Sequence, residues 1–213
     1  MTLVTPIPLP EHPVCGDDGH VADETFEEFM TMLDLPAFVV TTQAAGQPAG
    51  CLVGFATQTG VEPPRFLVGL AKGSHTFGVA SLSQHLAVHV LSRRHRALAE
   101  LFGGQTGHEL NKFDRCSWRA GPQGMPMLDD AIAWFVGRIV NRFDVGDHVA
   151  YLLEPVATWA PESSQDDPLY LSDVDDIYDD DDSGGTPDPT FFRGQAQVDV
   201  PRRYGLRFTI DGT

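Results

Sequence analysis

Lys72-Gly73-Ser74-His75-Thr76 gathers a cation, two hydroxyls and an imidazole into five consecutive residues. A short helix is expected over about residues 76–82, so the exposed N–H groups of its first turn would lie near Thr76. A cation beside free helix N–H groups suits a phosphate. His75 reads as a further donor on that side of the loop, or as a solvated loop residue. The second chemical candidate is His148, directly after Gly146-Asp147. Near neutral pH an imidazole can hydrogen-bond a ligand when neutral and steady negative charge when protonated. The alternative is a histidine that closes a strand turn. His85 and His89 share one strand face and read as barrel or subunit-face residues. His12, Cys15 and His20 match no standard zinc spacing, so no metal site is expected. No nucleophile–base constellation is legible. No G-x-G-x-x-G follows a strand, which argues against a Rossmann dinucleotide fold.

The elements that must carry these residues are mostly strands. One helix is expected first, because Thr25-Phe26-Glu27-Glu28 fits a capping box and Phe26, Phe29, Met30 and Leu33 follow at helical spacing. Pro36 ends it. Phe38-Val39-Val40-Thr41-Thr42 is aromatic and β-branched, Gly46-Gln47-Pro48 is a turn, and Ala49 to Thr59 reads as the second strand of a hairpin. Pro63-Pro64 breaks the chain. Phe66 to Ala71 is apolar on both faces, as in a central strand. Leu86, Val88 and Val90 alternate along the next strand. Arg94 to Phe102 reads as a helix stopped by Gly103-Gly104. The region 105–131 is loop-rich, with a short helix near 107–114 and a brief strand near Cys116 to Arg119. Ala131 to Phe143 and His148 to Trp159 are two long strands joined at Gly146-Asp147, with Trp134 assigned to the core. Strands outnumber helices and connect locally. The expected fold class is therefore mainly β with flanking helices, an antiparallel barrel rather than a doubly wound sheet.

Composition narrows the function classes. The 213 residues carry a formal net charge of −16, which argues against nucleic acid and against an anionic membrane surface. Ten aspartates and no basic residue fall between Asp166 and Asp188, so more than half of that charge is local and a phosphate site elsewhere is allowed. No apolar run is long enough to span a bilayer, and Met1 to Pro10 lacks the pattern of a signal peptide. Three widely spaced cysteines, Cys15, Cys51 and Cys116, point to reduced thiols and a cytoplasmic location. The expected organisation is an N-terminal arm (1–23), one folded domain (24–160), an acidic flexible segment (161–189) and a C-terminal arm (190–213).

Several segments together resemble the flavin reductase-like family. Gly50 to Pro64 (GCLVGFATQTGVEPP) is similar to the family's flavin-contacting strand and double-proline turn. Lys72 to Thr76 resembles its phosphate-side loop. Leu98 to Phe113 (LAELFGG, then NKF) resembles its helix and basic-aromatic motif. Trp118 to Trp134 is similar to its middle stretch, and Gly146-Asp147-His148 to the signature that opens its last barrel strand. The resemblance covers about residues 24–158. It implies an antiparallel split β-barrel and a homodimer that shares a flavin site. It also implies hydride transfer from NAD(P)H to FMN, with FAD as the other candidate flavin. A partner monooxygenase that receives reduced flavin is a further implication.

Within that resemblance a flat apolar slot for the flavin ring falls to Gly54, Phe55 and Ala56. Polar contacts fall to Thr57 and Gln58, the phosphate to Lys72, Ser74, His75 and Thr76, and the rim or subunit interface to Lys112 and Phe113, whose alternative is to cap a short helix. His148 is placed near flavin and nicotinamide, as the one candidate catalytic residue. Many members carry hydroxyl or amide side chains at the positions of Leu52, Gly54 and Phe55. Here the first hydroxyl is Thr57, so ring contacts would rely on backbone groups. The alternative function is a non-catalytic flavin-binding or electron-transfer protein. A barrel scaffold that serves only as an interaction module stands further off.

Overall fold

The structure is a computed structural model that describes Phe26, Phe29, Met30, residues 32–104, 110–162 and 166–174. The chain divides into two compact units, Met1–Asp34 and Leu35–Thr213. In the first unit Phe26, Phe29 and Met30 are helical, and the rings of Phe26 and Phe29 stack at 6.4 Å. Phe26, Phe29 and Leu33 are exposed there, so the expected packing stripe is not buried. The capping residues Thr25 and Glu28 lie outside the described residues, as do His12, Cys15 and His20.

The second unit is mainly antiparallel β. Its strands are β1 Phe38–Ala44, β2 Gln47–Val53, β3 Ala56–Val61, β4 Pro64–Ala71, β5 His85–Val90, β6 Trp118–Ala120, β7 Pro126–Leu128, β8 Ala133–Asp144 and β9 His148–Trp159. Among the described residues two α-helices, α1 His75–Ala80 and α2 Arg96–Gly103, flank them. Seven strands form one sheet in the order β2-β1-β5-β8-β9-β4-β3, and β6 pairs with β7 separately. The β1–β2 turn sits at Ala45-Gly46, both with positive φ, so Gln47 and Pro48 already belong to β2.

One expectation is corrected here. Ala49 to Thr59 is not a single strand: β2 ends at Val53 and pairs with β1, whereas β3 starts at Ala56 and pairs with β4. The two strands occupy opposite edges of the sheet. A flat sheet of seven strands would separate those edges by about 29 Å. The Gly54-Phe55 link lets Val53 and Ala56 lie at most about 11 Å apart. The sheet must therefore curl. Its concave side holds one core cluster with contributions from β1, β2, β4, β5 and β9, including Val40, Val53, Val68, Leu86 and the fully buried Tyr151.

A second cluster lies under α2 and joins Val39, Leu91, Phe102, Phe113 and Leu128 to Leu169 and Val174. Residues 166–174 of the acidic segment therefore pack against this cluster. Leu169 and Val174 are fully buried. Pro168 bridges Ser92 and Tyr170 bridges Pro36. Aspartates dominate the composition of this stretch, but its apolar residues are spaced so that they can face inward while the charges face out. Residues 163–165 and 175–189 of that segment, and the C-terminal arm, lie outside the described residues.

Candidate functional site

A cleft of about 630 Å³ opens where β2 passes into β3, beside the β8–β9 turn. That size suits a small organic ligand. The expected slot residues Gly54, Phe55, Ala56, Thr57 and Gln58 all line it, and so does His148. Leu35, Pro36, Phe38, Phe66 and Asp147 complete much of the wall. The lining is largely apolar, as a planar aromatic ligand requires.

Local structure explains why the backbone is presented here. Neither Gly54 nor Phe55 takes part in a strand ladder. The Gly69 N–H donates to the Phe55 carbonyl at 2.7 Å, and the Ala56 N–H to the Gly54 carbonyl at 3.1 Å. A Cβ on Gly69 would stand 3.1 Å from the Cβ of Phe55, so a larger residue there would press the Phe55 link outward by a few tenths of an ångström. The Phe55 side chain is 41% exposed and meets His148 edge-to-face, ring centroids 5.1 Å apart.

His148 begins β9, and its ring is mostly buried. Nδ1–H donates to the Asp147 carboxylate at 2.8 Å. That bond orients the ring and leaves Nε2 as the free ring nitrogen. Asp147, which positions the ring, also lines the cleft. In the sequence it belongs to the Gly-Asp-His signature, and a carboxylate adjacent to a histidine at a strand turn is itself a signal. Gly146 supplies the turn with φ +98°.

The Lys72–Thr76 loop lies beside the cleft but does not line it. The Lys72 N–H donates to the Asp147 carbonyl at 3.0 Å, which fastens this loop to the turn that carries His148. The Lys72 ammonium pairs with Asp144 at 2.8 Å and, with help from the Gly146 N–H, holds that carboxyl below the usual range. Ser74 caps α1: its hydroxyl accepts from the Phe77 N–H at 3.1 Å, and α1 starts at His75 rather than Thr76. Thr76 is buried and hydrogen-bonds the Cys51 sulfur, so its hydroxyl faces the interior.

Lys112 and Phe113 stand apart from the cleft. In place of a position on the cleft rim, both are buried beneath α2, Phe113 within the core cluster there. Lys112 Nζ donates to the Phe102 carbonyl at 2.8 Å and to the Gly50 carbonyl at 3.4 Å, and it lies over the Phe102 ring. Burial lowers its pKa and raises that of Cys51. Phe113 packs edge-to-face on Phe102 and Trp118. A lysine flanked by asparagine and phenylalanine reads as a surface residue, and nothing local announces the two carbonyls that draw it inside.

Comparison with known proteins adds the family. The FMN reductase (NADH) RutF of Methylorubrum extorquens is 33% identical over 150 residues, which covers 70% of this chain and 71% of that protein. Among solved structures, the flavin reductase domain protein from Arthrobacter sp. FB24 superposes with a TM-score of 0.61 at 25% identity, over 68% of this chain and 88% of that one. Nitrilotriacetate monooxygenase component B from Mycobacterium thermoresistibile shares the fold, with a TM-score of 0.62 at 22% identity over 71% and 84% of the two chains. A sequence model of the flavin reductase like domain matches residues 30–176. That span contains the cleft, the β2–β3 link and the turn that bears His148, and by this match the chain belongs to the flavin reductase like domain family.

Proposed function

We propose that the protein is an NADH-dependent FMN reductase and that the cleft at the β2–β3 link is its flavin site. One observation carries the proposal: an apolar cleft whose floor is unladdered backbone, with an oriented histidine at its edge, falls within the span that matches the family. Membership and relatives named FMN reductase (NADH) support the choice of reaction and of FMN. When bound, flavin supplies a two-electron acceptor for hydride from the reduced nicotinamide. The chain itself has to hold, orient and desolvate.

Gly54 presents its backbone to a planar ring with no side chain in between, and Phe55 and Ala56 add apolar surface to the slot. Thr57 and Gln58 offer a hydroxyl and an amide at the rim; the Gln58 amide N–H₂ donates to the Gly60 carbonyl at 3.0 Å, which leaves its oxygen as acceptor. Lys72 serves the phosphate by exchanging its Asp144 partner for the ligand, with Ser74 and His75 beside it. Thr76 supports this loop from below through Cys51. His148 holds a proton on Nδ1 against Asp147 and presents Nε2 to the cleft. Lys112 and Phe113 contribute indirectly, by fixing β2 from the far side.

The finer architecture belongs to the same proposal. The curled sheet supports a split barrel, and the apolar groove that runs along Phe38, Phe66, Phe135 and Trp159 supports a homodimer with the flavin site near the interface. Unpaired Cys51 and Cys116 support a cytoplasmic setting. Reduced flavin released by such an enzyme would serve a flavin-dependent monooxygenase. The test is anaerobic: NADH is added to protein and FMN, and the flavin absorption band is followed. Bleaching that depends on the protein is expected. A bound flavin band that neither NADH nor NADPH bleaches would remove the reductase reading and leave a flavin carrier.

A further inference from the structure

We propose that Leu171, on the strap formed by residues 166–174, is a positioning residue that sets the Gly54-Phe55 wall of the cleft. The inference rests on the flavin-site reading above. Because Gly54 belongs to no ladder, strand pairing alone does not fix where it sits. Packing does: a Cβ built on Gly54 would stand 2.7 Å from Leu171 Cδ1 and 3.1 Å from its Cδ2, so the leucine methyls rest against the Gly54 backbone. One side of that backbone faces the ligand space and the other faces Leu171.

The strap is firm enough to act as a support. The Leu169 N–H donates to Leu91 O, the Ala37 N–H to Leu169 O and the Leu171 N–H to Leu35 O, each at 2.9 Å. These bonds lock the strap between the chain before β1 and the chain after β5. Arg93 pairs with Asp173 at 2.9 Å and lies over the Tyr170 ring, and Arg94 pairs with Asp166 at 2.9 Å. Leu169 and Val174 anchor it in the core. Leu35 and Pro36, which the strap also holds, line the same cleft. The strap thus braces two walls of the cleft and touches one of them through Leu171.

Leu171→Ala removes the methyls that stop Gly54 from moving outward. A displacement of a few tenths of an ångström at a binding wall is expected to raise the Kd for FMN about tenfold. FMN fluorescence titration reads Kd directly, and steady-state turnover reads the split between parameters. The expected pattern is a raised Kd and KM for FMN, with KM for NADH and kcat within about twofold of the wild type. Leu171→Met, which keeps the reach, should restore the Kd to within about threefold. Val174→Ala, buried on the same strap, should lower the melting temperature and leave the Kd for FMN unchanged. Should Leu171→Ala fail to fold, Leu171→Val carries the same comparison. A wild-type protein that binds and reduces FMN beside a Leu171→Ala variant of unchanged Kd would overturn the inference alone. A raised Kd in Val174→Ala equal to that in Leu171→Ala would also overturn it, because general loosening would then suffice. A wild-type protein that neither binds nor reduces FMN would overturn the function reading and this inference with it.

Discussion

His89 makes acidification a sharp probe of the fold. It sits on β5, fully buried, and both ring nitrogens are engaged by main chain. Nδ1–H donates to the Val39 carbonyl at 3.0 Å, and Nε2 accepts the Leu128 N–H at 3.3 Å. The ring therefore ties β1, β5 and β7 together as a neutral imidazole. A second proton would have to enter at Nε2, against an N–H that already points there. Burial pushes its pKa down from 6.5 to about 4, partly offset by the Val39 carbonyl. Below pH 6.5 the unfolded chain binds this proton first, so stability falls as pH drops and the loss is complete near the folded value. Two and a half units correspond to about 3 kcal/mol in all, of which about 2 kcal/mol is spent between pH 7 and pH 5. Urea unfolding at those two pH values measures the sum over all groups. The same pair of measurements on His89→Gln, whose amide keeps a donor and an acceptor but does not titrate, subtracts the histidine's share. The wild type should lose about 2 kcal/mol more than the variant. Equal losses in the two proteins, or a His89 ring that titrates above pH 6 by NMR, would refute the argument.

Other outcomes follow from the same geometry. His148→Ala should lower kcat/KM for FMN reduction by about tenfold, the worth of one hydrogen bond of about 1.4 kcal/mol; an unchanged value would take the histidine out of the reaction. Gly69→Ala should weaken FMN binding severalfold in a fluorescence titration, since its methyl would press on Phe55 at 3.1 Å. Lys72→Ala should narrow the preference for FMN over riboflavin measured by the same titration, because only FMN carries the phosphate. Lys112→Ala should cost about 2–4 kcal/mol of unfolding free energy, from two unpaired carbonyls and a cavity, with a much smaller effect on KM for FMN.

What the sequence discloses here is the local grammar. The β-branched runs of β1, β5, β8 and β9, the Gly146-Asp147 turn and the helix before Gly103-Gly104 could all be read from neighbouring residues, because each is decided over a few positions. The break at Gly54-Phe55 could not. A strand that stops at one sheet edge and resumes at the other looks, in a short window, like one continuous strand; only the partners β1 and β4 tell them apart, and those are distant in sequence. The slot residues Gly54 to Gln58 and His148 nonetheless converge on one cleft, because the family pattern encodes that long-range pairing. Lys112 and Leu171 were illegible for the same physical reason. Their environment is made by Gly50 and Gly54, far from them in the chain, and by Phe102, which reaches Lys112 only once α2 has folded back. In Leu171's case the surrounding aspartates also set the apparent character of the whole stretch.

The two-residue link between β2 and β3 bears as well on how this chain avoids its neighbours. An open sheet exposes main-chain groups along both margins, which can template pairing with another molecule and seed aggregation. Here both margins are blunted. On β2, Pro48 removes one N–H, and the Lys112 ammonium donates to the Gly50 carbonyl. On β3, the register shift between Gln58 and Gly60 interrupts the strand, and the Gln58 side chain caps the Gly60 carbonyl. A cation under α2 and an amide at the cleft rim thereby act as guards against intermolecular strand addition, so losing the Lys112 ammonium would show as turbidity on storage.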